Sequence, residues 1–357
     1  MKRLPLATLV AAFFLFLVMS VSVRQAVLLL VGVGMGSALA GARFGFTTGW
    51  RQLIEQRDPR GAAGQALLLA LASLAAMPLL GQFPELHAAL GPPSISLLAG
   101  AFVFGLTMQI ADGCGSGTLY KAGLGVPLNM GILPLFALGS FLGSVHLDHW
   151  LALGQTAPVS LPAQFGTGGA VLITLALLGL ALLAVRAWVG AGRHWLERRW
   201  VWGAIALAVL ATLNLLLAGQ PWGVVYGFGL WAAKVSVAAG LFDPAANAFW
   251  SQAGHAQRLT QTVLMDVTTI TNIGILAGAL WVSAGATTAH EPLTPRQWAI
   301  GLAAGFVMGY SSRLAFGCNV GAMLSGISTG SLHGWIWVPL AFAGTLVGVK
   351  ARRRLGF

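Results

Sequence analysis

The stretch "ADGCGSGTLYKAGLG", residues 111–125, decides how this chain is read. It lies between two strongly apolar segments, Ile95–Ile110 and Leu128–Val145. Gly113, Gly115, Gly117, Gly123 and Gly125 fall where a helix would otherwise continue, and Cys114 sits among them. A helix in lipid satisfies its own backbone. A broken one exposes N–H and C=O groups, each costing several kcal/mol unless protein or a polar cavity surrounds it. A break of this kind, built around a thiol, needs a reason.

The surroundings set the class. Of 357 residues, 57% are hydrophobic and 8% are charged, with a mean hydropathy of +0.81. Apolar runs of about 20 residues are what a helix needs to cross about 30 Å of hydrocarbon. Eleven candidate segments run from Leu4–Val23 to Leu332–Val349. The chain therefore reads as an all-α polytopic membrane protein, a single integral membrane domain embedded in a lipid bilayer. The net charge of +11 does not indicate nucleic acid, because the basic residues lie in loops and at the ends, and no nucleic-acid motif is present. The first 20 residues could be a signal peptide, but no small-x-small cleavage site follows them, so a retained helix is expected.

The break occurs twice. "GLTMQIADGCGSGTLYKAGLG", from Gly105, aligns with "GYSSRLAFGCNVGAMLSGISTG", from Gly309. At an offset of 204 residues, Gly105, Cys114 and Gly117 match Gly309, Cys318 and Gly321. At an offset of 205, Gly125, Pro134, Gly139 and Gly143 match Gly330, Pro339, Gly344 and Gly348. The chain thus divides into two halves, 1–190 with an extra N-terminal helix and 191–357. Repeats with interrupted helices are a transporter signature, and the interruption marks the substrate site.

Charge orients the segments. Gln82–Pro93 and His146–Phe165 contain no Lys or Arg, whereas Arg51–Arg60, Arg186–Arg199 and the tail "KARRRLGF" are basic and read as cytoplasmic. If Ala26–Ala42 and Trp222–Phe242 dip in and return, about nine spanning helices remain. The halves are then inverted, with short non-spanning helices and glycine- and cysteine-rich central loops. Only Lys2 and Arg3 face the wrong way in this arrangement.

A half-helix starting at such a break points its N–H groups and positive dipole end inward, where an anion can bind. Gly113, Gly115 and Gly117 around Cys114, and Gly317 and Gly321 around Cys318, let backbone approach a ligand closely. A thiol is a weak donor carrying a soft sulfur, and suits a substrate that has one too. Thr118 and Asn319 either cap the half-helices or donate to an oxyanion. Lys121, Arg313 and Lys234 are charge partners for an anion or snorkelling residues. A pairing of Asp112 with Lys234 across the halves is one way to balance two costly charges. Two cysteines are too few for a thiolate metal site, and no metal or cofactor is expected.

At these residues the sequence resembles the YeeE/YedE family of sulfur-compound membrane transporters. The two cysteine motifs carry the resemblance, and "GARFGF" and "YGFGLWAAK" extend it over nearly the whole chain. It implies uptake of thiosulfate or a related inorganic sulfur anion through the bacterial inner membrane by a multi-pass, non-enzymatic protein. The anion would be relayed past central cysteines matching Cys114 and Cys318. A cytoplasmic sulfur-carrier protein of the TusA kind is the partner implied. The family's third cysteine lies in an "RFCF"-like motif; here Arg43-Phe44-Gly45-Phe46 places Gly45 at that point. Two alternatives stay open: a carrier of another small anion or selenium compound, and a membrane thiol-redox enzyme.

Overall fold

The computed structural model describes residues 3–284 and 292–357. In chain order its helices are α1 (Arg3–Ser20), α2 (Val23–Gly41), α3 (Phe46–Gln56), α4 (Arg60–Gln82), α5 (Ile95–Ile110), α6 (Gly115–Gly123), α7 (Pro127–Val145), the short α8 (Leu147–Leu151), α9 (Leu161–Val189), α10 (Arg198–Ala218), α11 (Val225–Ala238), α12 (Ala253–Thr260), α13 (Val267–Ser283), α14 (Pro295–Leu314) and α15 (Leu332–Arg354). A π-helical segment, Asn319–Gly326, lies between the last two. Among the described residues nine helical runs are long and apolar enough to cross a membrane. The protein is a polytopic helical membrane protein.

Local chemistry starts these helices where expected. Ser22 and Ser94 accept the N–H groups of Gln25 and Leu97 at the starts of α2 and α5. Thr294 and Gln297 form a reciprocal capping box at the start of α14, ahead of Pro295.

The repeat is inverted. α5 and α14 are equivalent by sequence, yet they run antiparallel, since Ser96 near the start of α5 donates to the Leu314 carbonyl at the end of α14, 2.8 Å away. Across the axis the contacts are reciprocal. A Cβ on Gly105 would overlap the carbonyl oxygen of Ala341, and one on its equivalent, Gly309, would overlap that of Phe136. Gly139 faces the Phe306 carbonyl, and its equivalent, Gly344, faces that of Phe102. α5 thus packs on α15, the counterpart of α7, and α7 packs on α14, the counterpart of α5. This is the self-complementary pattern that a two-fold axis generates. Glycine lets the backbones approach this closely, as small residues do wherever helices associate in lipid.

Two expectations about topology need correction. Ala26–Ala42 does not dip and return: it lies within α2, a 19-residue helix that runs parallel to α13. Gln25 reaches the Met265 carbonyl at one end of that pair, and Ser37 reaches the Gly278 carbonyl further along. The short elements are α3, α6, α11, α12 and the π-helical segment, so the non-spanning reading of Trp222–Phe242 corresponds to α11, of 14 residues. The second correction follows from the first. With α2 full-length, Arg3 lies on the basic face, its guanidinium 5.6 Å from the Trp281 ring at the end of α13. It is no exception to the charge pattern; Lys2 lies outside the described residues. Periodicity could not show this, because α2 is apolar along most of its length and looks the same whether it spans or dips.

Candidate functional site

The two breaks are built alike. After α5, Asp112 takes a left-handed conformation (φ 53°), and the Gly113 N–H closes back on the Met108 carbonyl at 3.1 Å. After α14, Phe316 does the same (φ 57°), and the Gly317 N–H reaches the Ser312 carbonyl at 2.8 Å. This is a Schellman-type helix end. It normally recruits glycine at the left-handed position; here a side chain occupies it in both halves, at a cost of about 1–2 kcal/mol each. Gly113 and Gly317 follow because a Cβ there would strike the backbone of the next turn, 2.8 Å from the Thr118 nitrogen and 2.5 Å from the Ala322 nitrogen.

Each cysteine then heads the short helix that follows. Cys114 is the N-cap of α6, and its sulfur accepts the Gly117 N–H at 3.4 Å and lies 3.5 Å from the Ser116 hydroxyl. Thr47, at the start of α3, is buried, and its hydroxyl has no hydrogen-bond partner among the described residues. Cys318 heads the π-helical segment, and its sulfur lies against Gly115 of the other half, 3.1 Å from where a Cβ on that residue would stand. Both thiols are free and fully buried. Two positive helix ends and two thiols therefore converge between the halves.

The other sequence-derived residues separate into groups. Gly115 and Gly117 border the thiols: a Cβ on Gly115 would lie 3.1 Å from the Cys318 sulfur, and one on Gly117 would lie 3.4 Å from that of Cys114. Gly321 is more open, with only the Phe316 carbonyl near, at 3.9 Å. Thr118 and Asn319 are buried but cap nothing. The Thr118 hydroxyl and both polar atoms of the Asn319 amide lack a protein partner among the described residues. The capping reading is therefore wrong for both, and their hydrogen-bonding capacity is open to a ligand. Gly45 caps α3 with an extended backbone (φ −103°) and lies close to Tyr120 and Thr48.

The charged candidates do not meet. Lys121 pairs with Asp112 at 2.6 Å, beside Arg51 at 2.8 Å and Arg352 at 3.5 Å, on the basic face. Lys234 donates instead to the carbonyls of Leu259 and Gln261, so the Asp112–Lys234 pairing does not form. Arg313 lies towards the other face, its guanidinium 4.8 Å from the Phe249 ring and 5.7 Å from that of Tyr226. Sequence reading missed Arg51, Arg352, Thr47 and Tyr120. The signal available for the first two was the half-buried carboxylate of Asp112 at the end of an apolar segment, which needed cations from somewhere. Among the described residues no three His, Cys, Asp or Glu side chains come together as a metal site requires.

Comparison with known proteins places this arrangement. The signature of the family described as sulphur transport matches residues 41–347, which include both breaks and Gly45. The chain belongs to that family. A thiosulfate transporter, TsuA, of Spirochaeta thermophila is 26% identical over 86% of this chain and 93% of its own length. The thiosulfate transporter TsuA of Escherichia coli is 24% identical over 91% of this chain and 95% of its own length. A probable transporter, YedE, of Salmonella typhimurium is 25% identical over 46% of this chain and 41% of its own length. Membership makes the protein a membrane transporter for sulfur compounds.

Proposed function

We propose that the chain takes up thiosulfate, or a closely similar inorganic sulfur anion, across a bacterial inner membrane, passing it between Cys318 and Cys114. The observation that carries this is the Cys318 sulfur lying against Gly115, the first residue of the helix that Cys114 heads: the thiol of one half meets the helix start of the other. The halves, taken as residues 1–190 and 191–357, are the two sides of this passage. Gly113, Gly117, Thr118, Gly317, Asn319 and Gly321 supply its turns and donors.

The chemistry is non-enzymatic. An oxyanion is held by backbone N–H groups and helix ends, with the S–H groups as further donors and their soft sulfur against the terminal sulfur of the substrate. No covalent bond is made. Transport requires binding that is strong enough for entry and weak enough for exit, which two successive thiol sites of modest strength provide. By the positive-inside rule the basic face is cytoplasmic, so Cys318 precedes Cys114 during uptake. A sulfur-carrier protein of the TusA kind would receive the product at that face.

Initial uptake of radiolabelled thiosulfate in a transport-deficient host tests the reading. Cys114→Ala and Cys318→Ala remove the S–H donor at small change in volume. Losing one hydrogen bond to a charged group is worth about 1.5–3 kcal/mol, so each should lower uptake about 10- to 100-fold at matched expression. Wild-type rates in both would make the cysteines packing residues and overturn the proposal.

A further inference from the structure

The site around Asp112 is not accounted for by passage between the thiols. Its carboxylate accepts from Arg51 at 2.8 Å, Lys121 at 2.6 Å and Arg352 at 3.5 Å. Among the described residues, three cations thus surround one carboxylate, an excess of two positive charges. They are not saturated by it. One terminal nitrogen of Arg51, Nη1, is buried with no protein partner. Asp112 and Arg352 also line a cavity of about 370 Å³, together with Asn129, Leu293, Trp298 and Phe357. The cavity lies on the basic face, and Asp112 is two residues from Cys114. The equivalent position in the other half is Phe316, so the repeat is deliberately unequal here: the same left-handed turn carries a carboxylate on one side and a phenyl ring on the other.

We propose that this cavity is the release site for the transported anion, and that Asp112 is the built-in competitor that keeps the anion's stay short. This rests on the transport reading above. An incoming dianion matches the excess charge of the cluster. It takes the donors of Arg352, which lines the cavity and otherwise faces Asp112, while Arg51 and Lys121 stay on the carboxylate behind it, and Asp112 reclaims Arg352 when the anion departs. Without the carboxylate, three cations would hold a dianion too firmly for turnover. Arg is suited to this exchange, since its fork can serve two oxyanions at once.

The test uses the full chain in proteoliposomes, with thiosulfate loaded inside and labelled thiosulfate outside. Internal anion should inhibit uptake by occupying the release site. Asp112→Asn keeps the volume and tolerates the left-handed backbone, and should lower the half-inhibitory internal concentration about tenfold. Arg352→Gln should raise it about tenfold. A second measurement does not depend on transport: equilibrium binding of labelled thiosulfate to the purified chain, where the same two shifts in Kd are expected. Unchanged half-inhibition and unchanged Kd in Asp112→Asn would overturn the release site, and this variant decides the matter even if Arg352→Gln does not fold. Absence of uptake by the wild type, with the Kd shifts present, would overturn the transport reading and leave the anion site standing.

Discussion

The Cys318 sulfur sits on Gly115, 3.1 Å from where a Cβ on that residue would stand. A thiol from one half therefore rests on the first turn of the other half's short helix, and only a glycine keeps that surface free. Gly115→Ala separates function from folding. Alanine is favoured over glycine inside a helix by about 1 kcal/mol, so α6 should not suffer from propensity. The added methyl instead presses on the sulfur and on the Phe136 ring, 3.5 Å away. Uptake should fall about tenfold, the equivalent of about 1.4 kcal/mol, while the amount of protein in the membrane stays near wild type. Unchanged uptake would mean that the approach of Cys318 to α6 has no part in transport.

The glycines on the two-fold axis predict the opposite separation. A Cβ on Gly105 would overlap the Ala341 carbonyl, and one on Gly309 would overlap that of Phe136. Neither neighbour can move without displacing a whole helix. Gly105→Ala and Gly309→Ala should each cost about 1–3 kcal/mol through overpacking and lower the melting temperature of the purified protein, with the double variant worse than either. Because the contacts are related by the axis, the two single variants should lose similar amounts. A loss confined to one of them would show that the halves pack unequally.

Much of this arrangement could be read from the chain. Cys114 and Cys318 stood at one offset with glycines in fixed columns, and a repeat in sequence becomes a repeat in space. The inverted relation was expected from where Lys and Arg lay, although the dip of Ala26–Ala42 assumed with it does not occur. The rest was hidden for physical reasons. α2 is apolar along most of its length, with Arg24 and Gln25 confined to the first turn, so no period distinguished a spanning helix from one that turns back. The cations that hold Asp112 come from α3, α6 and α15, far apart in sequence, and a half-buried carboxylate announces that it needs partners without naming them. Thr118 and Asn319 occupied positions where capping is common, and only the geometry shows their polar atoms turned elsewhere.

His255, in α12 and outside the spanning helices, gives the protein a pH dependence on the face opposite the basic one. Its Nδ1 lies 3.0 Å from the Tyr226 hydroxyl, and its ring stacks on Phe249. Burial first, then the charges of Arg313 and Arg258, push its pKa down to about 4 from the usual 6.5. Between those values the opened segment binds a proton that the folded one refuses. The stability His255 contributes is therefore present above about pH 6.5 and is lost as pH falls through about 4. Proteolytic nicking of Ala253–Thr260 should rise over that window, and His255→Gln should flatten the rise. Nicking that does not change between pH 7 and pH 4 in the wild type would contradict this.

Gly45 stands where the sequence resemblance implies a third thiol, and placing one there is the most direct test of a relay. The backbone permits it. Gly45 has φ −103° and ψ 118°, an extended conformation open to any L-residue, so nothing there demands glycine. Space is tight but yielding. A Cβ would lie 2.9 Å from the Thr48 hydroxyl and 3.3 Å from that of Tyr120. The first can rotate away about its own χ1, and the second is the far end of a side chain. Tyr120 belongs to α6, which Cys114 heads, so a thiol at position 45 would join the same short helix from the basic side. If the anion moves between successive soft donors, Gly45→Cys adds a step below Cys114 and should raise initial thiosulfate uptake, about two- to fivefold if one weak hydrogen bond of about 0.5–1 kcal/mol is gained in the slow step. Gly45→Ser controls for the added volume and the hydroxyl, and should not raise uptake. The gain should vanish in a Gly45→Cys, Cys114→Ala double variant, because the new thiol would then have no neighbour to receive from. An equal gain in the serine variant, or a gain that survives loss of Cys114, would show that position 45 acts by reshaping the path, and the relay would be the wrong account.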